Sequence, residues 1–186
     1  MFLHIATSRD IGRRCIEWAE EEIELVSMDK CDVFVSVLYD KIIAEDFIQK
    51  RKCFNFHPGI LPWYRGAGAY SWAIINGELE TGVTLHEIDK SIDTGPVIEI
   101  RRFPISKLDT AESLFRKSES TIYEMFLEWL PKLLTGAYKT FEQEAGRTYY
   151  RKDLEKARDL TRFIRAFTFK DKPRAYYINE GLKIYL

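Results

Sequence analysis

The sequence predicts an α/β fold: a mostly parallel sheet flanked by helices, with a small carboxyl-terminal helix and β-hairpin appended. Three observations carry that reading. Strand-like and helix-like stretches alternate in a βαβ rhythm as far as His57. The run Val33-Phe34-Val35-Ser36-Val37-Leu38 is nearly all apolar and rich in β-branched residues, as expected of a parallel strand covered on both faces. The 186 residues are 46% hydrophobic and include 12 Phe, 10 Tyr and 4 Trp, enough core for one well-packed domain but not for two full ones.

In chain order, Phe2 to Ala6 reads as a first strand and Asp10 to Glu22 as a helix. Ile23 to Val26 offers a short second strand before Val33 to Leu38. Ile42 to Lys50 reads as a helix and Cys53 to His57 as the next strand. Ala69 to Asn76 has the composition of a short helix ended by Gly77, a residue that tolerates the left-handed conformation of a helix terminus. Val83 to Ile88 and Pro96 to Ile100 alternate like a hairpin pair around a loop holding Asp93. Asp109-Thr110-Ala111-Glu112 places an acceptor and a glutamate three residues apart, a capping-box-like start. Leu114, Phe115, Ile122, Met125, Phe126, Trp129 and Leu130 then keep helical spacing towards Gly136, with a kink expected at Pro131. A second helix is expected over 154–167, and Tyr176 to Leu186 reads as a hairpin turned at Asn179-Glu180-Gly181. The domain boundaries that follow are 1–150 for the main unit and 151–186 for the appendage.

Charge and cysteine usage narrow the functional classes. The formal charge is −1, so electrostatics makes no case for a nucleic-acid partner. Cys15, Cys31 and Cys53 are an odd set without metal-ligand spacing, as in a reducing cytoplasm. Met1-Phe2-Leu3-His4-Ile5 lacks the charged start and apolar core of a signal peptide, and no run approaches the ~20 apolar residues that span a bilayer. The expectation is a cytoplasmic protein without a membrane partner.

The chemistry concentrates between residues 55 and 95. Asn55 and His57 lie two apart on one strand, so both point to the same side while Phe54 and Phe56 turn into packing. Pro58-Gly59 ends the strand, placing the polar pair at its carboxyl end, the edge where open α/β sheets hold ligands. Asp93 lies 38 positions beyond Asn55, in a Gly-containing loop from which it can reach the histidine. Taken alone, His57 reads as a capped strand end and Asp93 as a turn residue. His4 and His86 lie in strands without a partner pattern and read as structural. A metal set of His57, His86 and Asp93 lacks any familiar ligand spacing, and no metal is expected. Gly66-Ala67-Gly68 is neither a dinucleotide fingerprint nor a P-loop; it reads as a loop that lets backbone approach a substrate. Arg65 either pairs with a phosphate or pins its own loop.

The ordered series Asn55-Phe56-His57-Pro58-Gly59, Leu61-Pro62-Trp63-Tyr64-Arg65-Gly66 and Ser91-Ile92-Asp93-Thr94-Gly95 resembles the folate-dependent formyltransferase family. The resemblance is strongest from about Asp32 to Ile100. It implies a Rossmann-like formyltransferase fold, N10-formyltetrahydrofolate as cosubstrate and a primary amine as acceptor. The family's catalytic residues carry over to Asn55, His57 and Asp93. Asn55 would donate to the developing oxyanion, His57 would be the general base, and Asp93 would orient the imidazole and stabilise its protonated form. Its folate contacts fall on Tyr39, Lys41, Ile42, Asp89, Lys90 and Ser91, and its acceptor contacts on Arg65 and Gly66. Only 54 residues precede Asn55, so one βα unit of the pattern is expected to be missing or compressed. Among acceptors, an amino-sugar nucleotide is favoured over methionyl-tRNA and glycinamide ribonucleotide. Hydrolysis of formyltetrahydrofolate and a non-catalytic folate-binding remnant stay open. The alternation of Leu182, Ile184 and Leu186 with Lys183 and Tyr185 points to a homodimer through the terminal hairpin.

Overall fold

The computed structural model describes residues 1–150, 159–170, 176–179 and 182–185. Five strands make the main sheet: β1 (Leu3–Thr7), β2 (Val33–Val37), β3 (Lys52–His57), β5 (Glu80–Glu87) and β6 (Val97–Pro104). They lie in the order β1-β2-β3-β5-β6. The first three pair in parallel, and β5 runs antiparallel to both β3 and β6, so β5 alone runs against the other four. The first crossover is α1 (Asp10–Glu22), and the second contains only the single turn α2 (Glu45–Ile48). Between β3 and β5 come the two-residue β4 (Arg65–Gly66) and α3 (Ala69–Asn76). After β6 follow α4 (Ala111–Thr135), β7 (Thr148–Tyr149), α5 (Leu160–Phe167), and the separate two-stranded sheet of β8 (Tyr176–Asn179) and β9 (Leu182–Tyr185).

Strand alternation divides the sheet into two unlike faces. Leu3, Ile5, Val33, Val35, Val37, Phe54, Phe56, Val83 and Leu85 pack on one side with Ile11, Cys15 and Ala19 of α1 and with Ile122, Met125, Phe126, Leu130 and Leu133 of α4. On the other face, register sets Ser36, Asn55 and His86 side by side, with His57 opposite Thr84. Apolar cover there includes the end where Phe34 and Cys53 meet Phe47 and Ile48. One face therefore makes the core, and the other leaves polar side chains facing the loops that cross it.

Several expected boundaries move, each for a local reason. The expected strand over 23–26 reduces to one bridge, Leu25 against Leu3. The expected helix over 42–50 contracts to four residues, with Ile42 almost fully exposed ahead of it. The α4 cap sits one residue later than expected. Thr110 Oγ1 accepts from the Ser113 backbone N–H, and Ser113 Oγ accepts from the Thr110 N–H. Asp109 instead takes Ser106 N–H, Ser113 Oγ–H and Lys117, and Glu112 accepts from the backbone N–H of Lys170. Pro131 lies within α4, which continues to a left-handed Gly136.

The helix expected over 154–167 is described from Leu160, after an Asp159 cap; 154–158 lie outside the described residues. That helix docks on α3 and the start of α4: the Ala166 carbonyl accepts from Ser71 Oγ at 2.8 Å, and Arg165 Nε donates to the Asp109 carbonyl at 2.7 Å. The terminal hairpin pairs as expected, Tyr176 opposite Tyr185. Its turn at 180–181 and the side chains of its strands lie outside the described residues. Among the described residues, no helix is long and apolar enough to cross a membrane.

Phe126 is fully buried between Phe56 and the edge of Trp18. Removing its ring leaves a cavity beneath the strand that carries Asn55 and His57. Phe126→Ala should lower unfolding free energy by about 3–5 kcal/mol, read as a fall in the urea midpoint at unchanged slope. A loss below about 1 kcal/mol, within the range of ordinary surface substitutions, would show that α4 does not close the core as described.

Candidate active site

Asn55 and His57 reach the loop-covered face because they alternate with Phe54 and Phe56, which are fully buried among α4 side chains. The site thus lies at the carboxyl end of β3, as expected, on the sheet face over the β3–β5 pairing. Two loops fold across it. The loop after β3 is tied down by Thr84, whose hydroxyl accepts from Leu61 N–H at 3.1 Å and donates to the Gly59 carbonyl at 2.6 Å. The loop after β5 turns back through Asp93, which adopts a left-handed φ of 54°. Aspartate tolerates that conformation better than most residues because its short side chain bonds locally.

Asp93 gathers the polar groups. Its Oδ2 accepts from the Gly66 N–H at 2.9 Å and lies 3.3 Å from His57 Nδ1. Its Oδ1 lies 3.4 Å from Asn55 Nδ2 and 3.5 Å from His86 Nε2. Gly66 has a φ of +85°, and a β-carbon there would sit 2.3 Å from the Tyr149 carbonyl oxygen, so glycine alone brings that N–H to the carboxylate. Burial by itself would raise the Asp93 carboxyl. The imidazoles of His57 and His86 beside it, with the Gly66 N–H, more than offset this and hold it well below the usual carboxylate range.

His57 is only 3% exposed, and its Nε2 donates to the Tyr64 carbonyl at 2.7 Å. A carbonyl accepts only, so the ring carries a proton on Nε2, and Nδ1 is the nitrogen that faces Asp93. Asp93 therefore faces the imidazole through Nδ1, and the Tyr64 carbonyl takes the other ring nitrogen. Burial pushes the His57 pKa down, with Asp93 pulling the other way. Of the pair, Asp93 is the more open, its side chain 15% exposed against 4% for His57.

His86, expected to be structural, belongs to this cluster. It pairs with Asn55 across the strands, is 1% exposed, and places Nε2 3.2 Å from Asn55 Nδ2. The alternation of Val83 and Leu85 with Thr84 and His86 carries that signal once β5 is set beside β3. Gln143 had no local signal. Its amide donates to the carbonyls of Asp93 and Gly95 at 3.0 and 2.7 Å and accepts from Arg65 Nε and Nη2 at 3.0 and 2.8 Å. Arg65 Nη2 also meets the Glu144 carbonyl, so the geometry favours loop-pinning over phosphate pairing for that residue.

The other expected contact residues lie on two loops. Tyr39 packs edge-on against Phe34 after β2, with Lys41 and Ile42 exposed beyond it. Asp89 holds its own loop by accepting from Ser91 N–H and Thr94 Oγ, and Lys90 and Ser91 are exposed. His57, His86 and Asp93 do converge, but a carbonyl takes one nitrogen of each imidazole. Among the described residues, no group of three His, Cys, Asp or Glu is placed to hold a metal ion.

A methionyl-tRNA formyltransferase of Thermotoga neapolitana is 34% identical over 170 residues, covering 90% of this chain and 54% of its own length. A GDP-perosamine N-formyltransferase of Brucella melitensis is 33% identical over 178 residues, 90% of this chain and 68% of its own. Among solved structures, an N-formyltransferase from Helicobacter canadensis, in complex with folinic acid and dTDP-3-aminofucose, superimposes with a TM-score of 0.78 at 25% identity, covering 92% of this chain and 82% of that one. The chain spans about half the length of the methionyl-tRNA relatives it matches. The model of the formyl transferase family matches residues 8–130, which takes in α1 to most of α4 and every side chain of the Asn55–His57–His86–Asp93 cluster, and the chain belongs to that family.

Proposed function

We propose that this chain transfers the formyl group of N10-formyltetrahydrofolate to a primary amine, that of an amino-sugar nucleotide. The observation that carries the reading is the buried convergence of Asn55, His57 and Asp93 under two loops, in a chain of this family. The amine nitrogen attacks the formyl carbon and the carbonyl electron pair moves onto oxygen. The Asn55 amide is the nearest neutral donor for that oxygen. The ammonium proton passes to the gap between Asp93 Oδ2 and His57 Nδ1, entering by way of the more open carboxylate. Collapse of the tetrahedral carbon then expels the folate nitrogen, which takes a proton from the same pair. Tyr39, Lys41 and Ile42 on one loop, with Asp89, Lys90 and Ser91 on the other, flank the cluster where the folate would lie, largely offering main-chain groups. Arg65 and Gly66 border the acceptor side.

The amino sugar is supported by the relative acting on GDP-perosamine and by the neighbour solved with dTDP-3-aminofucose. Methionyl-tRNA is the second reading because of the 34% relative; the net charge of −1 favours a small acceptor over an RNA. The three free, buried cysteines support a reducing, cytoplasmic setting. Residues 1–150 form the catalytic unit and 151–186 the appendage.

Tetrahydrofolate release from N10-formyltetrahydrofolate, measured with nucleotide-linked amino sugars, with methionyl-tRNA and with no acceptor, tests the assignment. Release only with an amino sugar supports it; release with water alone means hydrolysis, and none means a non-catalytic remnant. In the same assay His57→Ala and Asp93→Ala should each lower kcat by about 10²–10⁴-fold. The double variant should lose little more than either, because the two hold one proton as a unit. Independent, multiplying losses would contradict the shared-proton geometry.

The terminal hairpin is a separate two-stranded sheet, and such a unit is marginal in water unless something covers it. We assign it to a homodimer contact. Sedimentation should give a dimer for the full chain and a monomer for a chain ending at Lys172; dimerisation of the shortened chain would exclude the hairpin as the interface.

A further inference from the structure

We propose that His86 is a positioning residue that fixes which end of the Asn55 side-chain amide faces the reacting carbon. The proposal deepens the formyl-transfer reading and rests on it. Its grounds are four contacts around an imidazole that is only 1% exposed.

His86 Nδ1 lies 2.6 Å from the carbonyl oxygen of Glu87. That carbonyl has no freedom to turn away: a β-carbon built on Gly95 would sit 2.0 Å from the same oxygen, so the glycine backbone is stacked directly on it. A carbonyl oxygen accepts and cannot donate, so the hydrogen of this imidazole is on Nδ1. The opposite tautomer would set two lone pairs against each other at hydrogen-bond distance, in a site where no water replaces the lost bond. With one ring hydrogen Nε2 is bare; its two neighbours are Asn55 Nδ2 at 3.2 Å and Asp93 Oδ1 at 3.5 Å, and it accepts from the nearer, the amide.

The second neighbour of that amide nitrogen is Asp93 Oδ1 at 3.4 Å, also an acceptor. With two acceptors on this side, the NH2 end of Asn55 faces them and the amide oxygen faces away. The two contacts are unequal. The bond to His86 is shorter and anchors the amide; the bond to Asp93 is long and readily exchanged. A formyl oxygen gaining negative charge beside Asp93 would take over that second hydrogen while His86 keeps the first. Without the acceptor at His86, nothing but the longer contact would keep the donor end turned inward, and a preorganised donor would become one that must be recruited. His86 touches neither substrate nor the reacting atoms in this arrangement. It acts through Asn55.

The test has two arms. Nitrogen-15 NMR of the ring nitrogens in the full-length protein, free of substrate, should show His86 protonated at Nδ1 and bare at Nε2; a proton on Nε2 would overturn the proposal. This arm needs no turnover, so it stands apart from the formyl-transfer reading, which falls separately if the wild-type protein releases no tetrahydrofolate with any amine.

The second arm is kinetic. His86→Leu removes the acceptor at similar volume and should lower kcat by about 10- to 100-fold with KM for the formyl donor changed by less than about threefold, as expected of a misdirected group rather than a lost binding contact. His86→Gln, whose amide oxygen can accept from Asn55, should recover most of that loss, and a recovery no better than leucine would overturn the role. Placed in an Asn55→Ala background, His86→Leu should change kcat by less than about threefold. A full further loss there would assign the effect to packing.

Discussion

Asp93 sits where three separately folded pieces meet: the β3 strand through His57 and Asn55, the β5 strand through His86, and the loop after β3 through the Gly66 N–H. A carboxylate drawn out of water is strongly unfavourable unless its oxygens are met by donors and charge. That requirement disciplines the surroundings. Gly66 has to be glycine for its N–H to arrive, Gln143 has to grip the carbonyls of Asp93 and Gly95, and the left-handed backbone at Asp93 has to be held by the loop on either side. Each is intelligible as a condition for burying one charge beside one imidazole.

The stability that permits such an arrangement comes from the opposite face. Phe54 and Phe56 alternate with Asn55 and His57, so the strand that presents the polar pair is anchored by two fully buried rings. Burial of a side chain as large as phenylalanine contributes about 1.5–3 kcal/mol, and α1 and α4 together pack on the apolar strand residues from Leu3 to Leu85. The active face is correspondingly poor in apolar cover and rich in backbone and amide contacts. Selectivity for one protonation pattern, rather than stability, is what those contacts supply: the carbonyls of Tyr64 and Glu87 each assign a tautomer to one imidazole.

Much of this was legible in the residues. The alternation of Phe54-Asn55-Phe56-His57 foretells the two faces, and the left-handed conformations of Gly66 and Gly77 fall at glycines the sequence marks as loop and helix end. The order Asn55, His57, Asp93 foretells which side chains converge. Less legible was how they converge. Antiparallel pairing of β3 with β5 is a matter of register, and it is register that lifts His86 out of an apparently structural strand and sets it beside Asn55. Backbone carbonyls have no signature in a sequence, so the Tyr64 carbonyl that takes the other nitrogen of His57 could not be seen. Gln143 acts across 50 residues and 78 residues to Asp93 and Arg65, a separation at which a single glutamine carries no pattern. The shift of the α4 cap from Asp109 to Thr110 shows the same limit at short range: both residues suit the role, and the contacts of Asp109 with Ser106 and Lys117 decide which takes it.

The central claim is that Asp93 and His57 face each other through Oδ2 and Nδ1 in the resting protein, with burial holding the imidazole neutral and the carboxylate opposing that effect. The sign follows from the charges: burial disfavours the imidazolium and lowers its pKa, a facing carboxylate favours it and raises the pKa. Following the ring resonances of His57 by NMR through a pH titration, in the wild-type protein and in Asp93→Asn, measures the coupling directly. Wild-type His57 should titrate below the ordinary histidine value of about 6.5, and the Asp93→Asn substitution should lower it further. A His57 titration that is unmoved or raised by that substitution would contradict the account.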